Sequence, residues 1–290
     1  MSGTAAAATA SAPLPRITRT TSLLVVSPHP DDESLCCAGV IQRVLQAGGQ
    51  VGIVWITSGD ASELDLLVVE RSLFIHPKRM RNLAAKRMQE SRSAAAILGV
   101  APDRQFFLGY PDRGVLAIIT DNYVTPYHSR FTDASSVPYS AALFPGHPYT
   151  GQSLEHDFAA VLDRVHPTLI LAPSPRDSHP DHRATGILVM QALNRRQGLS
   201  KVRYWIVHGG EGWPAPRGLE PELALTQPPR GVGLELTPFR LEPVEEQRKL
   251  LAVRAYRTQM AVMSSVLLSY VRTTELYSPT PMPQIMAINR

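Results

Sequence analysis

Two short stretches of the sequence concentrate side chains that bind metals and move protons. They are SPHPDDES, with His29, Asp31, Asp32 and Glu33, and SHPDHR, with His179, Asp181 and His182. Each follows an apolar run, LLVV before the first and TLILAPS before the second. Two imidazoles and one carboxylate leave positions open on a bound metal, which is the donor pattern of a catalytic rather than a structural site. The same donors hold Fe(II) as well as zinc, so the pattern constrains the ligands more than the metal. A further carboxylate beside a ligand can act as general base toward water, whose pKa falls to about 7 on zinc. A further imidazole can carry a proton or stabilise an oxyanion. A neighbouring carboxylate can orient that imidazole. A single HPDD also reads as a helix N-terminus, with Asp32 as the cap and Asp31 and Glu33 favouring its positive end. The second cluster, again at the end of an apolar run, favours the chemical reading over the capping one.

The elements that must position these residues alternate. Leu23–Ser27, Val51–Thr57, Arg104–Gly109, Thr168–Ala172 and Val202–Gly210 read as apolar or β-branched strands. Helical spacing covers Leu35–Ala47, stopped by Gly48 and Gly49, and Arg79–Leu98, closed by Gly99. It returns in a helix capped by Ser153 and running to Val165, and in Arg183–Arg195. A last helix starts after Pro243 and runs to about Ser264. Strict alternation with apolar strands predicts an α/β, Rossmann-like fold, with a mostly parallel sheet covered by helices on both faces. Ligands in such sheets sit beyond the carboxyl ends of the strands, where both clusters fall. Tyr110–Gly151 and Gly212–Pro238 break the alternation, and the first reads as a long substrate-side loop.

Composition narrows the partners. The 290 residues carry 29 basic and 25 acidic side chains, a scattered excess of +4 that argues for neither nucleic acid nor an anionic membrane. No apolar run is long enough to span a bilayer, so no stable membrane insertion is expected. Cys36 and Cys37 are adjacent, which excludes a disulfide framework and favours a reducing, cytoplasmic setting. They fall on a buried helix face and read as small hydrophobes. Residues 1–21, rich in Ala, Ser and Thr, read as a disordered extension before one domain over 22–290. MAVMSSVLLSYV, residues 260–271, reads as core or as a subunit interface, which leaves a homo-oligomer open. The remaining histidines, His147 and His208 among them, read as structural, and Trp213 as loop packing. The sequence lacks G-x-G-x-x-G after the first strand, a G-x-S-x-G elbow and a Walker A motif.

SPHPDDES and SHPDHR, with WITSGDAS, RMQESRSAAAILGV and LGYPDRG between them, resemble the PIG-L/LmbE-like family of metal-dependent N-deacetylases over roughly Leu23 to Leu193. The resemblance implies hydrolysis of an acetamide on a small-molecule amino sugar, with Zn²⁺, Fe²⁺ or another divalent ion as cofactor. It implies that His29, Asp32 and His182 bind the metal and that Asp31 is the general base. His179 would stabilise the oxyanion or protonate the leaving amine, with Asp181 tuning it. Arg87 would contact substrate or be a solvated helix charge, and Asp112 would be a further substrate contact. An amidase acting on a larger sugar conjugate uses the same centre, and a non-catalytic sugar-binding protein could share the fold. One departure stands out: some family members carry a Tyr where this chain has Asp177, so that oxyanion role is absent or taken by another residue. The segment 110–151 also looks longer than in compact members.

Overall fold

The computed structural model describes residues 14–61 and 76–282. Five strands form one parallel sheet: β1 (Ser22–Ser27), β2 (Gln50–Thr57), β3 (Gln105–Tyr110), β4 (Leu169–Pro173) and β5 (Val202–Trp205). Their order is β3-β2-β1-β4-β5. The chain builds outward from β1 to β3, then returns to lay β4 against the free side of β1, with Leu23 opposite Leu169 and Val25 opposite Leu171. That reversal between β1 and β4 is a topological switch point, where the two carboxyl ends part and open a crevice. Both clusters lie in that crevice.

The strands are continuously apolar because both sheet faces are covered. Leu23 to Val26 are fully buried, and Trp55 of β2 stacks on Phe107 of β3 with ring centroids 4.5 Å apart. The flanking helices are α1 (Asp32–Cys36), α2 (Ala38–Gln46), α3 (Pro77–Leu98), α4 (Val115–Ile119), α5 (Gly151–Val165), α6 (Pro180–Arg195), α7 (Pro243–Ala255) and α8 (Arg257–Leu268). A two-stranded antiparallel ribbon pairs β6 (Thr237–Arg240) with β7 (Thr274–Tyr277). Among the described residues no helix is long and apolar enough to cross a membrane.

Several boundaries differ from the sequence reading, each for a local reason. The helix expected over Leu35–Ala47 starts at Asp32 and breaks at Cys37, whose φ of −128° and ψ of 0° are not helical. The break lets a first turn whose five residues are all buried hand over to a helix with an exposed side. Both cysteines are buried and free, as expected of small hydrophobes. Thr150, not Ser153, caps α5: its hydroxyl accepts from the Ser153 N–H at 3.2 Å, so Glu155 and Asp157 fall beyond the first turn. The fifth strand ends at Trp205 instead of Gly210, because the N–H groups of Val207 and His208 turn to the Asp177 carboxylate at 2.9 and 3.0 Å. The second cluster opens its helix at Pro180 rather than Arg183. The last helix is two, divided at Tyr256. Of the expected extension, residues 1–13 lie outside the described residues, while Leu14 and Ile17 pack against the core. The segment 110–151 is folded onto the domain, with Phe131, Val137, Tyr139 and Tyr149 buried.

Candidate active site

His29 leaves the end of β1 on a proline-stiffened turn, and Asp32 opens α1 directly after it. His182 sits in the first turn of α6, beyond β4. Their side chains meet across the switch point. His29 Nδ1 is 3.1 Å from His182 Nε2, and Asp32 Oδ2 is 3.5 Å from the first and 3.2 Å from the second.

The other ring nitrogens decide what these three atoms can be. His182 Nδ1 is 3.2 Å from Asp177 Oδ2, and His29 Nε2 lies between Asp181 Oδ2 at 3.2 Å and Asp112 Oδ1 at 3.3 Å. Carboxylates accept only, so each ring keeps a proton on its outer nitrogen, and a cation that displaces any proton from the inner nitrogen would meet a lone pair there. Two imidazole lone pairs and a carboxylate oxygen then face one another, an arrangement that a divalent cation satisfies. Donors bound to zinc at about 2.0–2.1 Å in a tetrahedron are about 3.3 Å apart, close to the spacing here. The fit is therefore good. The surrounding carboxylates dominate the charge balance: burial works against imidazolium, yet Asp112, Asp181 and Asp32 raise the His29 pKa well above its usual value. Burial likewise opposes the His182 imidazolium, but Asp32 and Asp177 push it up to about 9.

Asp31 and His179 flank this triad at a cavity of about 310 Å³. Asp31 has a φ of 114° and ψ of −33°, a backbone conformation that L residues adopt only under constraint. The N–H groups of Ser34 and Leu35 hold its carbonyl at 2.8 and 2.9 Å. Gln259 of α8 donates through Nε2 to Asp31 Oδ2 and to the Pro30 carbonyl. Burial, then the neighbouring Asp32 charge, raises the Asp31 pKa well above the carboxylate range. His179 accepts the Asp181 N–H on Nδ1 at 3.2 Å, which places its own proton on Nε2. Burial, followed by the charges of His29 and His182, pulls its pKa down to about 2, so the ring is neutral.

The structure thus brings His29, Asp31, Asp32 and His179 to one cavity, along with Arg87 and Asp112, and sets the fully buried His182 directly behind His29 and Asp32. Arg87 is not a solvated helix charge: it is buried and donates to the Gly59 carbonyl at 2.6 Å. Gly59 has a φ of +67°, and a Cβ there would overlap the Arg87 guanidinium. Asp112, expected as a substrate contact, lines the cavity and also reaches His29 Nε2 at 3.3 Å. Asp181 is the correction. Its carboxylate faces His29 and accepts from the N–H groups of Arg113 and Val115 at 2.6 and 3.1 Å, and only its backbone touches His179. Sequence reasoning missed three residues. Asp177, noted only as a departure, is fully buried and binds His182 together with three backbone N–H groups. His208, set aside as structural, packs 4.7 Å from the His182 ring and lines the cavity. Its place just past the fifth strand was a usable signal. Gln259 carried none.

Residues 24–193, from β1 to the end of α6, match the family PIG-L, described as GlcNAc-PI de-N-acetylase. The chain belongs to the PIG-L family. The match spans both turns, with His29, Asp31, Asp32, His179 and His182, and ends before His208 and Gln259. Among curated relatives, a 1D-myo-inositol 2-acetamido-2-deoxy-alpha-D-glucopyranoside deacetylase of Mycobacterium sp. (strain KMS) is 28% identical over 256 residues, covering 84% of this chain and 75% of its own. A deacetylase of the same description from Mycobacteroides abscessus is 29% identical, covering 84% of this chain and 83% of its own. Among solved structures, a deacetylase triple mutant from the teicoplanin biosynthetic pathway superposes with a TM-score of 0.55 at 18% identity. It covers 89% of this chain and 97% of its own. This likeness shows that the PIG-L chain shares the α/β fold of a solved deacetylase.

Proposed function

We propose that the protein is a divalent-metal-dependent hydrolase that removes the N-acetyl group from an N-acetylglucosamine-type sugar conjugate. The observation that carries this reading is the meeting of His29 Nδ1, Asp32 Oδ2 and His182 Nε2, with Asp31 and His179 beside them at one cavity. His29, Asp32 and His182 would hold the metal, zinc in this reading, with Fe²⁺ fitting the same donors. A divalent ion held there supplies Lewis acidity, which polarises an amide carbonyl and acidifies water.

The chain's own residues do the rest. Asp31, aimed at the cavity by its strained backbone and by Gln259, takes a proton from the attacking water. His179 is neutral with its proton on Nε2, and donates a hydrogen bond to the oxygen that gains charge as the carbonyl becomes tetrahedral. Asp31 then returns its proton to the nitrogen, which leaves as a free amine while acetate remains. This division leaves His179 as oxyanion donor rather than acid, because a neutral imidazole is a poor source of a proton. The inositol-glucosamine substrate named for the mycobacterial relatives supports a sugar-conjugate substrate. The free, buried Cys36 and Cys37 accord with a cytoplasmic setting.

The test is release of free amine by metal-stripped protein reloaded with Zn²⁺, using N-acetylglucosamine, its oligomers and its inositol conjugate. Zinc-dependent release, fastest from the inositol conjugate, is expected. Zinc-loaded protein that releases amine from none of the three would overturn the reading.

A further inference from the structure

A second group of metal-type donors meets where the segment 110–151 packs on α5, apart from the two turns. We propose that His147, His156 and Asp157 form a peripheral site for a borderline transition-metal ion such as Zn²⁺. His147 comes from the segment and the other two from α5, so a bound ion would clamp one to the other. Asp157 is fully buried, and its Oδ1 lies 2.8 Å from His147 Nδ1 and 3.2 Å from His156 Nδ1. One donor atom from each residue falls within 4.8 Å of the others.

The arrangement is held from behind. The Tyr110 hydroxyl donates to Asp157 Oδ2 at 2.9 Å, which fixes the carboxylate and leaves Oδ1 to the histidines. Such hydrogen bonds behind a ligand are a recurrent feature of metal sites. Phe144 stacks on His147 at 4.9 Å and meets the His156 ring at 5.9 Å, which sets the orientation of both rings. The His147 carbonyl accepts from the Val137 N–H at 2.9 Å, anchoring its backbone. Without an ion, one carboxylate oxygen bonds to both rings only if each carries a proton on Nδ1. One ion replaces both protons.

Two imidazoles and a carboxylate suit Zn²⁺, Co²⁺, Ni²⁺ or Cu²⁺, and suit Ca²⁺ or Mg²⁺ poorly. The His156 side chain is 68% exposed and that of His147 37%, so an ion can enter from solvent. Neither histidine lines the cavity between the turns. The expected effect of the ion is therefore on stability rather than on chemistry.

Zinc bound per chain is measured on the untagged full-length protein after equilibrium dialysis, beside thermal unfolding with and without excess Zn²⁺. Wild type should retain one more zinc than His156→Gln, and excess zinc should raise its melting temperature further. Amine release by His156→Gln should be unchanged. The exposure of that side chain makes loss of folding an unsuitable explanation, and His147→Gln provides a second variant with the same expectation. Equal zinc content and equal thermal response in wild type and both variants would overturn the proposal. A His29→Gln/His182→Gln variant separates the two sites: it should lose the ion between the turns and keep the peripheral one.

Discussion

The two His-Pro-Asp turns end neighbouring strands and share three residues, yet they are built in opposite ways. In the first, Asp31 is forced to a φ of 114°, and the buried carboxylate beneath it, Glu33, is held by neutral donors. Those are Trp55 Nε1 at 2.9 Å, Ser34 Oγ at 2.7 Å and the Tyr256 hydroxyl. Burial raises the Glu33 pKa. In the second, His179 caps α6 with an ordinary φ of −75°, and the buried carboxylate is Asp177. Burial alone would raise its pKa, but the His182 imidazole and the surrounding N–H groups hold it well below the usual range. One turn is strained so that a carboxylate faces the cavity. The other is relaxed and uses its carboxylates to steer imidazoles.

That contrast can be broken at four points. The largest effect is expected from Asp31→Asn, which keeps the side chain's shape and its bond to Gln259 but removes the base. Turnover should fall about 10²–10⁴-fold with metal content unchanged, and a variant with wild-type kcat would remove Asp31 from the mechanism. Next comes Asp177→Asn. It frees the buried His182 ring, and metal affinity should drop toward about 100-fold in a chelator competition. Asp181→Asn should cost less, about 10-fold, because His29 Nε2 keeps Asp112 at 3.3 Å. An Asp181→Asn protein with normal metal affinity would return Asp181 to His179. The smallest effect on activity belongs to Tyr256→Phe, which removes one donor from Glu33. Denaturant unfolding should show a loss of about 1.5–3 kcal/mol, while metal content and kcat hold. A large fall in kcat instead would make the Glu33 anchor part of the machinery.

The sheet was legible because burial on both faces leaves apolar strands between helical periods, and the two turns because their residue types serve few other purposes. What the sequence hid was which carboxylate meets which ring. Asp181 is two residues from His179, and proximity along the chain suggested that pair. In the fold its side chain crosses the β1–β4 gap to His29, 152 positions away. Asp177 was hidden because its partners at Val207 and His208 come from the end of another strand. Gln259 reaches Asp31 across 228 positions, a distance over which no spacing rule operates. Strand β5 was read too long for a related reason: the side chain that captures its last N–H groups lies outside it.

The parallel pairing of β1 with β4 has a consequence for how such a protein can change. Neighbouring strands stand about 4.8 Å apart, so the sheet itself sets how closely His29 and Asp32 approach His182. The cavity wall comes largely from elsewhere, with Trp213 and Arg217 after β5 and Met263 and Tyr270 around α8. Only the wall after β5 is free of the turns in this sense, because α8 also carries Gln259 to Asp31. Exchanging the segment that holds Trp213 and Arg217 is a route to new substrates in which the reacting centre is inherited unaltered.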